Sequence, residues 1–122
     1  MSKFLMTING EDYQEVGWGE LGLAIDELVE QGSEGDFMTM MFDDSDAQED
    51  RFMQFMIHEK RSGKGFFGAK KIERVYGLEV RRGDRIFGKD LHDPQELKGY
   101  ISDYYHSGRF PDISNWEVIT EL

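Results

Sequence analysis

From Trp18 onward, apolar side chains return every three or four residues, at Trp18, Leu21, Ile25, Leu28 and Val29, with Glu20, Asp26, Glu27 and Glu30 on the opposite side. That period predicts an amphipathic helix with an acidic outer face, stopped at Gly32. Before it, Lys3 to Ile8 reads as a strand ended by the turn pair Asn9-Gly10. After it, the apolar run Phe37 to Phe42 suits a central strand with both faces partly covered. Arg51 to Glu59 alternates, with Met53, Phe55 and Ile57 on one face and Phe52, Gln54 and His58 on the other. These two runs predict a hairpin through the acidic loop from Asp43 to Asp50. Arg74 to Val80, with Tyr76, Leu78 and Val80 on one face, turns at Gly83-Asp84 into a short strand, Arg85 to Phe87.

A second helix has clear ends: Asp93 as N-cap, Pro94 at the first helical position, Glu96 in the first turn, His106 in the last and Gly108 beyond. Leu97, Ile101, Tyr104 and Tyr105 form its apolar stripe, and Phe110, Pro111, Ile113 and Trp116 read as a tail folded on the core. The pattern predicts an α+β fold: a curved, mostly antiparallel sheet of four to five strands with two helices packed on one side. Residues 1–122 are expected to form a single domain.

Composition supports a self-sufficient core: 39% of the 122 residues are hydrophobic, including nine Phe, five Tyr, two Trp and seven Met. The chain has no cysteine, so disulfides, thiolate metal sites and cysteine nucleophiles are excluded. A cytoplasmic location is the expectation, because the apolar N-terminal stretch is too short for a signal peptide and no run approaches the ~20 apolar residues of a membrane span.

Charge sharpens the picture. The net charge is −11, unevenly distributed: residues 1–50 carry 14 acidic side chains against Lys3 alone, residues 51–89 carry 11 basic against 4 acidic, and residues 90–122 carry 7 acidic against 2 basic. Such a field repels nucleic acid and anionic membranes and speeds encounter with basic proteins, in a salt-dependent way. The same surface also serves solubility. A basic protein is the natural partner.

No motif points to catalysis. Gly17-Trp18-Gly19-Glu20-Leu21-Gly22 and Gly63-Lys64-Gly65-Phe66-Phe67-Gly68 both match the dinucleotide fingerprint by letter. The first is crowded by Glu11, Asp12 and Glu15, and the second is expected between two strands, without the helix that would face a pyrophosphate. The acidic loop lacks the glycine of a calcium loop. His58, His92 and His106 lack zinc spacing, and no nucleophile elbow surrounds a serine. Neither cofactor nor metal is expected. The basic stretch Lys60, Arg61, Lys64, Phe66, Phe67, Lys70 and Lys71 interleaves bases with aromatics, as a single-stranded RNA platform or another interaction module would. Pairing of these bases with the acidic half explains them as well.

Near the C-terminus, Tyr104-Tyr105, Gly108, Pro111 and then Trp116-Glu117 resemble the closing signature of an immunity-protein family of bacterial polymorphic toxin and contact-dependent growth inhibition systems. The likeness covers roughly the last 25 residues, with weaker agreement in Trp18 to Leu28 and Tyr76 to Val80. Ser114 stands where that family usually has an apolar residue, and Gly99 where it more often has Ala. The resemblance implies a non-enzymatic protein that binds and blocks one cognate toxin, commonly a nuclease or nucleic-acid deaminase with a basic substrate face. An acidic inhibitor suits such a partner on charge grounds alone. The residues expected to meet it are Asp43, Asp44, Asp46, Glu49 and Asp50 of the acidic loop, then Glu20, Asp26, Glu27 and Glu30 of the first helix.

Overall fold

A computed structural model of the chain describes residues 3–43, 51–62 and 71–121, with backbone alone for residues 60–62, 71, 72, 120 and 121. The elements run β1 (Phe4–Ile8), β2 (Glu11–Tyr13), α1 (Trp18–Gln31), β3 (Phe37–Phe42), β4 (Arg51–Ser62), β5 (Lys71–Arg82), β6 (Arg85–Leu91), α2 (Pro94–Ser107) and β7 (Glu117–Glu121). All seven strands join one open sheet in the order β2-β1-β3-β4-β5-β6-β7, and every neighbouring pair is antiparallel.

The α+β class and the two helices match expectation, but seven strands replace the four to five predicted. The two additions lie at the sheet edges. β2 is only three residues long and wholly exposed, so it shows no apolar alternation. Its formation follows from Asn9-Gly10: both residues have positive φ, 49° and 87°, the geometry of the two-residue turn that matches hairpin twist. Asn9 also docks the turn onto β3, since its Oδ1 accepts from the Phe37 amide at 2.9 Å. At the other edge, Glu117–Glu121 pairs with β6 through a register shift between Ile86 and Phe87, which breaks the period of two.

Register builds the core. Phe4 faces Phe42, Met6 faces Met40, Met40 faces Met53 and Met53 faces Val80, while Met38, Phe55 and Leu78 form the next row. These side chains share one sheet face, where all but half-buried Phe42 are buried together with Leu21, Ile25 and Leu28 of α1 and Leu97, Ile101 and Tyr104 of α2. Four buried methionines, at 6, 38, 40 and 53, fill this interior with adaptable side chains. Both helices therefore lie on the same side. The opposite face carries half-buried Leu5, Thr39, Met41, Gln54, Met56 and Glu79. At its centre Thr39 Oγ1 donates to Gln54 Oε1 at 3.1 Å, and Gln54 Nε2 donates to Glu79 Oε2 at 2.6 Å. β3 is thus an interior strand with one face under helices and the other half-open, in partial agreement with the coverage read from its apolar run.

β4 and β5 pair over their whole length, from Arg51 opposite Arg82 to Ser62 opposite Lys71. β3 stops at Phe37 opposite Met56 and β6 at Leu91 opposite Tyr76, so the last part of this hairpin projects as a two-stranded ribbon. The base of the ribbon anchors α1. Arg74 donates through Nη1 to the Val29 carbonyl and through Nη2, at 2.8 Å, to the Gly32 carbonyl, and it lies 3.6 Å from Glu59. A cation from β5 thereby satisfies the carbonyl end of a helix that has no base in its own last turn.

Candidate functional site

The residues proposed to meet a partner divide into two groups. Asp44, Asp46, Glu49 and Asp50 lie outside the described residues, as do 63–70 of the basic stretch. Asp43 is described and holds a structural post: its Oδ1 accepts from the Lys3 amide at 2.9 Å, and its own amide donates to the Lys3 carbonyl at 3.0 Å. It ties the end of β3 to the start of β1 before the acidic loop begins.

Glu20, Asp26, Glu27 and Glu30 all stand exposed on α1, whose apolar stripe Leu21, Ile25 and Leu28 fixes which way they point. Asp26 accepts from Lys98 of α2 at 3.1 Å to both oxygens, which neutralises it locally and links the two helices. Among the described residues Glu20, Glu27 and Glu30 have no salt-bridge partner. They rise along a helix roughly 20 Å long at the usual rise per residue. Glu20 shares the end where Lys3, Glu15 and Phe42 border an open cleft, and Glu30 the end anchored by Arg74.

One residue of this face escaped the sequence reading. Leu23 is 72% exposed, the most exposed large apolar side chain among the described residues. It sits between Glu20, three residues before, and Asp26 and Glu27, three and four residues after. Tyr13, 41% exposed, approaches from β2. Its phenol is held above the usual tyrosine range first by the charge of Glu11, with slight desolvation, a hydrogen bond to Glu11 and the charge of Glu27 adding to it. The signal for Leu23 was present: it lies off the Leu21, Ile25, Leu28 stripe, so its apolar character serves no core.

The C-terminal signature residues occupy structural positions. Tyr104 is buried, with its ring 5.4 Å from Phe42 and 5.1 Å from Phe110. Tyr105 lies 4.8 Å from Phe4 and 5.7 Å from Trp18, and its hydroxyl donates to the Val16 carbonyl at 3.3 Å. Gly108 ends α2 at φ 69°, a conformation that favours glycine. Pro111 is half-buried and Trp116 packs edge-on against Tyr100 at 5.7 Å. They dock α2, as the apolar stripe required.

The three histidines stand apart from one another. His58 is exposed beside Gly77, His92 pairs with Glu73 at 3.0 Å, and His106 Nδ1 lies 2.8 Å from the Ser102 carbonyl. Among the described residues no group of histidines and carboxylates is arranged to hold a metal ion. The first glycine fingerprint does open a helix, with Gly17 as N-cap, but a three-residue strand precedes it, and exposed Glu15 and Glu20 flank that helix start. No described helix is long and apolar enough to cross a membrane. Comparison of the chain with protein-family models, curated proteins and solved structures finds no match in any of the three.

Proposed function

We propose that the chain is an inhibitory binding domain that captures a basic protein through the outer face of α1. The observation that carries this reading is Leu23, 72% exposed among carboxylates of which only Asp26 has a cationic partner among the described residues. An apolar anchor inside a charged rim is the composition of an interface hot spot, where the anchor supplies binding energy and the rim sets encounter rate and register. Folding gains little from a leucine in that place. A basic partner is supported by the sign of the rim, and the resemblance at Tyr104, Tyr105, Gly108, Pro111 and Trp116 supports a cognate toxin domain acting on nucleic acid in the cytoplasm as that partner. In this reading the carboxylates occupy the toxin surface where substrate phosphates would lie, and the protein needs no catalytic group.

The test is co-expression with a toxin encoded in the reading frame immediately upstream. Survival of cells that the toxin otherwise kills supports the reading, and death at the unprotected rate rejects it. Reversing Glu20, Glu27 and Glu30 to Lys in the protective chain then examines the surface. A rise in dissociation constant of roughly tenfold or more at low salt, shrinking as salt is added, is expected. Unchanged affinity with retained protection would reject α1 as the surface while leaving the inhibitory role.

A further inference from the structure

Between the β1–β2 hairpin and the C-terminal half of α1 runs an open groove of about 360 Å³. Its lining combines apolar Ile8, Ala24 and Leu28 with Tyr13, Gln31 and the carboxylates Glu27 and Asp36. Asp36 is held in place by the Ser33 amide, which donates to its Oδ2 at 2.8 Å. Neither Glu27 nor Asp36 has a salt-bridge partner among the described residues, and residues 4–50 contain no Lys or Arg. A groove lined by both apolar side chains and two carboxylates complements a side chain with an alkyl stem and a cationic head.

We propose that this groove receives one arginine or lysine side chain of the partner, with its stem on Ile8, Ala24 and Leu28 and its cation between Glu27 and Asp36. The assignment rests on the reading of the chain as a binder of a basic protein and gives that reading a specificity site.

The probe is a capped tripeptide, acetyl-Gly-Arg-Gly-amide, titrated into the full chain and followed by NMR, beside its citrulline isostere, which keeps the shape and lacks the charge. Saturable shifts at the Ile8 and Ala24 methyls are expected with the arginine peptide, at a dissociation constant on the order of millimolar for a single contact, and none with citrulline. Gln31→Lys places a cation of the chain at the groove, in the last turn of α1 where a positive charge favours the helix, so the fold is retained. It should weaken peptide binding roughly tenfold, whereas Asp84→Asn, in the exposed turn between β5 and β6, should leave it unchanged. Shifts spread over all exposed carboxylates, equal responses to citrulline, or indifference to Gln31→Lys would each overturn the assignment. The two readings separate cleanly. A failed groove with intact, salt-dependent toxin binding removes only this site, and a working groove in a chain that does not protect cells removes only the toxin.

Discussion

The two helices have the same length, 14 residues, and pack on the same sheet face, yet they are specified in different ways. α2 carries its own ends: the Asp93 side chain accepts from the Gln95 amide at 2.9 Å, Pro94 opens the first turn, and Gly108 closes the last in the left-handed region. α1 begins at Gly17 with no side-chain cap, contains Gly19 and Gly22, and depends on Arg74 of β5 to satisfy its carbonyl end. Its outer surface holds Leu23 and three carboxylates without ion partners among the described residues. α2 carries the signals of its own folding, and the exposed face of α1 is the one proposed above to meet a partner.

Substitutions can pull this contrast apart. The largest effect is expected from Ile101→Ala in α2, whose side chain is fully buried: loss of about 2–5 kcal/mol in denaturant unfolding, with affinity per folded molecule unchanged. Arg74→Ala should come next, at about 1–3 kcal/mol, because it strands the Val29 and Gly32 carbonyls. Amide exchange in the last turn of α1 should accelerate in that variant while α2 stays protected. If α1 were indifferent to it, the dependence of this helix on β5 would be refuted. Leu23→Ala should leave stability within about 0.5 kcal/mol and weaken partner binding by about 1–2 kcal/mol, roughly five- to thirtyfold, read by calorimetry. A stability loss matching that of Ile101→Ala would place Leu23 in the fold and not in an interface. The smallest effect is Asp93→Ala, about 1 kcal/mol from the lost cap of α2, with no effect on binding.

How much could be read from the chain follows the same contrast. Both helices were legible, α2 to the residue because its caps are local, α1 because its stripe is periodic. Strands with a buried alternating face, β3, β4 and the middle of β5, were legible too. β6 was read only as far as Phe87, since Gly88-Lys89-Asp90 offers no apolar signal, although Leu91 returns to the core. β2 and β7 lie at edges where burial imposes no pattern, and β7 joins two adjacent apolar residues, Val118 and Ile119, across a register shift. The acidic character of the α1 face was also visible. Its combination with Leu23 was not, because a contact surface emerges only once the inward stripe is fixed. Arg74 shows the same limit: the sequence placed it only at the start of a strand, whereas it serves helix carbonyls from 42 and 45 residues away.

The most direct measurement is hydrogen–deuterium exchange of the chain alone and in complex with the toxin domain that the co-expression test identifies as its partner. The account predicts slowed exchange over Trp18–Gln31 and the β1–β2 turn on complex formation, with α2 unchanged. Protection confined to α2 or β7, with α1 exchanging as in the free chain, would contradict it.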